Sequence, residues 1–150
     1  MNSLLSGVLL LLGITALRAD ESKLVAAVLI AEAGGEGRRG MEAVMEVIQS
    51  RAKAHRKSPG AVVTARNQFS CLNETTVDNL VRTAKAHPRW SFALALAKRG
   101  TRTNHTGGAD HYFATWCSPS WAKGKRGTVT LGRHVFLKLS SRPGKMRKET

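Results

Sequence analysis

Carboxylates are scarce in this chain. Ten aspartates and glutamates stand against 24 lysines and arginines in 150 residues, a formal charge of +14. Such a field does not select a fold, but it favours polyanionic partners: nucleic acid, anionic lipid or an acidic cell-wall polymer. Cysteine is nearly missing. Cys71 and Cys117 are too few for a disulfide scaffold; they read equally as one bridge or as two buried free thiols. Aromatic residues make up 5%, so a binding surface must use them selectively. With only four prolines and 42% apolar residues, a disordered basic tail is disfavoured and a folded globule expected. The length suits one domain with a real core rather than two.

Outside the first nineteen residues there is no long apolar run. Leu4 to Leu17 is almost purely apolar, and Ala16-Leu17-Arg18-Ala19 offers small residues ahead of Asp20-Glu21. Residues 1–19 therefore read as an export signal, although Met1-Asn2-Ser3 carries no basic side chain and Arg18 is unusual beside a cleavage site. A bilayer span needs about 20 apolar residues, so membrane contact is expected only through this leader, if it stays uncleaved as a short anchor. The expected location is secreted, periplasmic or otherwise in the cell envelope. Residues 20–139 form the expected folded unit, and 140–150 a basic tail.

Within that unit the order is helices first, then a small antiparallel sheet: an α+β class. Val25, Val28, Leu29 and Glu32 fall on one face of a first helix, which Gly34-Gly35 should end. A second helix is predicted from Gly40 to Ala54, with Met41, Val44, Met45, Ile48 and Ala52 inward. Its Glu42, Glu46, Gln49 and Lys53 are expected on a solvated face. Ser58-Pro59-Gly60 breaks the chain, Thr75 with Asp78 suggests a capping box for a third helix toward Ala86, and a fourth runs from Trp90 to Arg99. His111–Ala114 reads as a strand. Thr128–Leu131 and His134–Leu137 read as a hairpin closed by Gly132-Arg133.

Glu32 is the anomaly. It continues the stripe that should face the core, where partial desolvation disfavours the charged form of a carboxyl. A carboxylic acid so placed is suited to general acid catalysis. Gly34 and Gly35 leave little bulk beside it. The plainer alternative is a frayed helix end with Glu32 in solvent or paired with Arg38 or Arg39. Glu36 reads as the residue that fixes the Gly-rich turn.

These residues carry a resemblance. Ala31-Glu32-Ala33, Gly35-Glu36 and the helix through Gly40, Val44 and Val47 resemble the opening of the SleB-like cell-wall hydrolases, the family of spore cortex-lytic enzymes. The similarity continues in order through Gln68-Phe69-Ser70-Cys71, Thr106-Gly107-Gly108-Ala109, His111-Tyr112-Phe113, Pro119-Ser120-Trp121-Ala122 and Leu131-Gly132-Arg133-His134-Val135-Phe136. Each motif alone is weak, whereas the collinear set is specific. The sequence departs from the family pattern at Ile30 and Gly34. The resemblance implies a lysozyme-like two-lobed domain that cleaves peptidoglycan between N-acetylmuramic acid and N-acetylglucosamine. It implies Glu32 as the catalytic acid and lytic transglycosylation as the usual reaction.

Composition bears on the mechanism. Ordinary glycoside hydrolysis uses two carboxyl groups about 5–9.5 Å apart. Glu42 and Glu46 should point away, Glu74 and Asp78 should belong to a helix start, and only Glu36 and Asp110 remain as second candidates. A transglycosylase needs one, because the muramic C6 hydroxyl replaces water. Tyr112 and Trp121 are candidate sugar platforms, and Gln68 and Ser70 candidate partners of N-acetyl groups. Glu36 and His111 complete the candidate binding set, with bracing as the other role of each. Phe69, Phe113 and Phe136 are expected in the core, and His134 as structural.

No cofactor and no metal site is expected. His105, His111, His134 and Asp110 lack HExxH or the spacing of zinc peptidases, and the cysteines lack CxxC. A non-catalytic basic module for envelope polymer or nucleic acid is the competing reading. The cations are scattered and no nucleic-acid motif appears, so peptidoglycan strands are the expected partner, nucleic acid is not, and a monomer is expected.

Overall fold

The computed structural model describes residues 20–66 and 68–139. The predicted leader 1–19 and tail 140–150 lie outside the described residues. A helix over 20–33 (α1) leads through a 3₁₀ turn, Gly34–Glu36, into α2, Gly37–His55. Three short helices follow: α3, Pro59–Val63; α4, Cys71–Glu74; and α5, Val77–Lys85. Helix α6, Trp90–Arg99, precedes β1, His111–Ala114, a 3₁₀ turn at Ser120–Ala122, β2, Val129–Leu131, and β3, His134–Leu137. The strands form one antiparallel sheet in the order β1-β3-β2. The α+β class is as the sequence indicates.

Two packed clusters flank α2. The larger gathers Val25, Val28 and Leu29 of α1 with Met41, Val44, Met45 and Ile48 of α2, and with Leu80, Ala84, Ala93 and Leu96 of α5 and α6. The smaller joins Ala43 and Val47, one turn apart on the opposite side of α2, to Ala109 and Phe136 under the sheet. A helix covered on both sides cannot keep a fully wet face, and this corrects the expectation for Glu42 and Glu46. Glu46 is only 8% exposed. It accepts hydrogen bonds from the Thr103 and Thr106 hydroxyls and from the His105 and Thr106 N–H groups, at 2.7–2.9 Å. Glu42 pairs with His105 Nε2 at 2.8 Å. Burial acts to raise the Glu46 pKa, but those four bonds outweigh it and hold the carboxyl below its ordinary value. They also pin the loop before β1.

Other boundaries shift for local reasons. α2 begins at Gly37 rather than Gly40, because Gly37 takes a φ of +76° that joins the 3₁₀ turn directly to the helix. The cap of α5 is Thr76, whose hydroxyl accepts the Asn79 N–H, and not Thr75. Ser58-Pro59 does not merely break the chain: Ser58 caps α3 through the Ala61 N–H, with Pro59 in the first turn. The predicted hairpin forms, with Gly132 at a φ of +52° in its two-residue turn.

Candidate active site

α1 ends where the helical part meets the sheet, and Glu32 stands in the last turn of α1, half-buried. Beside it opens a cleft of about 1050 Å³. One wall comes from the end of α1 and the segment around α4; the other comes from β1 and the turns that follow it. Glu32, Glu36, Gln68, Ser70, His111, Tyr112 and Trp121, all singled out from sequence, line this one cleft.

Their surroundings differ. Tyr112 donates its hydroxyl to Glu32 Oε2 at 2.9 Å. Burial, then the Glu32 charge and this bond, raise the Tyr112 pKa well above its ordinary value, so the phenol keeps its proton. Glu36 faces protein partners instead. Its Oε1 accepts the Arg133 N–H at 2.9 Å, and its Oε2 lies 3.2 Å from His134 Nδ1. A Cβ on Gly40 would come within 2.6 Å of the Glu36 Cβ, and one on Gly132 within 2.9 Å of its carboxyl carbon. Both glycines therefore make room for this brace. It holds the hairpin tip against the start of α2 and does not act on its own turn, as the sequence reading supposed.

Gln68 is exposed and accepts Arg51 Nη1 at 3.0 Å; Ser70 is exposed at the start of α4. His111 Nδ1 meets Asp110 Oδ1 at 2.8 Å, and Oδ1 also accepts the Leu139 N–H at 2.7 Å. Trp121 is 44% exposed, its ring tilted 5.5 Å from His111 and edge-on 5.8 Å from Phe113. Phe69 and Phe136 are buried as expected, but Phe113 is only partly so and lines the cleft. Of the two glycines expected to leave access beside Glu32, only Gly35 has open space above it. Gly34 is buried under His87, and its carbonyl accepts Arg89 Nη1.

Sequence reasoning missed several lining residues. Arg51 crosses under the cleft, donating Nε to the Asp110 carbonyl at 2.7 Å. Burial lowers its pKa, while the nearby Tyr112, Asp110 and Glu32 oppose the shift. Both cysteines line the cleft as free thiols, but neither is buried as the second reading has it: Cys71 is half-buried and Cys117 exposed. Burial and the Glu32 charge push Cys71 up to about 12, which leaves it a neutral thiol rather than a nucleophile. Trp116, 70% exposed, also borders the cleft. So does Glu74. It ends α4, which corrects the expectation that it belongs to a helix start. With four residues, α4 is too brief to leave a periodic signal.

Among the described residues no helix is long and apolar enough to cross a membrane, and no group of three or more His, Cys, Asp or Glu could hold a metal ion.

The model of the Cell Wall Hydrolase family matches residues 35–137, and the chain belongs to that family. The matched stretch includes every candidate residue except Glu32, which stands three positions ahead of it. No curated protein and no solved structure matches the chain significantly. The family makes peptidoglycan degradation the function and peptidoglycan the substrate.

Proposed function

We propose that the protein is an exported lytic transglycosylase that cuts the glycan strand between N-acetylmuramic acid and N-acetylglucosamine, with Glu32 as its single catalytic acid and base. Glu32 passes its proton to the glycosidic oxygen as the C1–O bond breaks. The muramic C6 hydroxyl then closes on C1, and its proton returns to Glu32. Tyr112 positions the carboxyl through its hydroxyl. The observation that carries this reading is the state of the other acids. Glu36 and Asp110, the two candidates for a second carboxylate, both have protein partners.

Glu74 favours a second reading. It is exposed and borders the cleft, so a muramidase in which Glu74 activates water is the competing mechanism. Product analysis of Glu74→Gln separates the two. Transglycosylation predicts anhydromuramyl ends in undiminished proportion; loss of activity with reducing ends in the wild type would establish hydrolysis.

Two further outcomes are expected. Tyr112→Phe removes one hydrogen bond to Glu32 and should lower kcat about tenfold, or about 1.4 kcal/mol of barrier, with little change in KM. Trp116→Ala should raise KM for glycan about fivefold through about 1 kcal/mol of lost ring stacking. Because the Trp116 ring is so exposed, the melting temperature should not move; steady-state kinetics and a thermal melt check both.

A further inference from the structure

Strand β1 is an edge strand, with β3 on one side only. Thr115 N–H donates to the Arg133 carbonyl at 2.8 Å; Asp110, just ahead of β1 and out of step with it, donates its N–H at 3.2 Å to the carbonyl of Leu137, the residue that His111 already faces. On the far side of β3, Thr128 N–H donates to the Phe136 carbonyl at 2.7 Å. Along a strand these groups alternate between neighbours. Val135 and Leu137 therefore face β1, while His134 and Phe136 face β2. In the register His111↔Leu137 and Phe113↔Val135, His111 and Phe113 bond to β3. Tyr112 and Ala114 then turn their N–H and C=O groups to the open edge.

That edge lies in the cleft. All four residues of β1 border it, so the cleft follows the strand's rim rather than one face. The Ala114 carbonyl is taken by the Cys117 N–H at 2.8 Å. Three groups stay open: the Tyr112 N–H, the Tyr112 C=O and the Ala114 N–H. Among the described residues no strand pairs with them.

We infer that the open edge of β1 binds the peptide borne by the glycan, which adds to the sheet as a short fourth strand beside Glu32. This rests on the peptidoglycan reading above and names the part of the substrate that the sheet reads. The two Tyr112 groups select the ligand. In an extended residue the N–H and C=O flanking one Cα point the same way, so a single residue opposite Tyr112 bonds to both. A trans acetamide points its N–H and C=O in opposite directions, so a sugar's N-acetyl group satisfies only one. The residue two positions away on the added strand accepts the Ala114 N–H. Three peptide residues thus use all three groups, by the strand-addition mode that exposed sheet edges support.

The test compares kcat/KM on intact glycan strands and on strands stripped of peptide by an amidase. The wild type should prefer the peptide-bearing form at least about tenfold, as expected for a few net hydrogen bonds less their ordering cost. Ala114→Pro deletes the outward N–H and sets a ring on the edge without removing a bond to β3. It should bring that ratio close to one. In parallel, free stem peptide is titrated into the wild-type protein while amide resonances are followed; those of Tyr112 and Ala114 should shift. Equal rates on both glycans, or a peptide preference with both amides unmoved, would overturn the inference. So would amides that move with protein concentration alone, which would assign the edge to a second copy. If neither glycan is cleaved, the proposed function fails, and the peptide titration still decides the edge.

Discussion

Glu32→Gln is expected to slow the clearing of purified sacculi by about a thousandfold, within the range of about 10²–10⁴ that proton transfer by a positioned side chain contributes. The change is nearly isosteric. The amide oxygen can still accept the Tyr112 hydroxyl that Glu32 accepts at 2.9 Å, so the fold and affinity for glycan should persist while turnover is lost. Binding of sacculi by the inactive variant is then the control. It also tests the competing view of a basic wall-binding module, which predicts that wild type and variant are equally inert. Retention of more than a tenth of the wild-type rate would remove Glu32 from the mechanism.

The largest effect on stability is expected far from the cleft. Glu46→Ala leaves four donors at Thr103, His105 and Thr106 without their acceptor. Unsatisfied buried donors cost about 1–3 kcal/mol each where water cannot reach them. A total of about 3 kcal/mol or more follows once the loop relaxes, or a fall of roughly 10 °C in Tm for a chain of this size. The pH dependence has a definite sign. Because burial is outweighed by four hydrogen bonds and the folded-state pKa of Glu46 lies below its ordinary value, its ionised form adds stability above the unfolded-state pKa. The contribution is lost as pH falls through the folded pKa. The Tm gap between wild type and Glu46→Ala should therefore be full at neutral pH and shrink once the pH falls below the ordinary carboxylate range. A gap constant across that range would mean that the loop is not held by the carboxylate.

Glu46 also shows where the sequence could be read and where it could not. A 3.6-residue period locates α1 and the inner stripe of α2 because each buries a face rich in Val, Leu, Met or Ala. It took the opposite side of α2 for solvent, since Glu42, Glu46 and Gln49 dominate there. The contrary signal was present in Ala43 and Val47, two small apolar residues one turn apart, against which the sheet packs. Gly132 in a two-residue turn announced the hairpin through its backbone freedom alone. Nothing local announced α4, only four residues long, so Glu74 was assigned to the wrong end of the wrong helix. The seven candidate residues could be named from motifs. Their arrangement could not, because it depends on long-range closures such as Glu36 to the Arg133 N–H and Arg51 to the Asp110 carbonyl.

Scarcity of acid and crowding by cation then take on a common meaning. The chain spends three of its few carboxylates, Glu36, Glu46 and Asp110, on internal bracing. Glu32 is left at the cleft with Tyr112 in contact, and Glu74 at its rim. The formal charge of +14 favours association with an anionic polymer, the kind of partner the composition points to.

Mass spectrometry of the fragments released from purified sacculi by residues 20–150 tests the central claim most directly. The account predicts muropeptides ending in anhydromuramic acid, each lighter by one water than its reducing counterpart, and none from Glu32→Gln. Fragments ending only in reducing sugars, or the same anhydro products from both proteins, would contradict it.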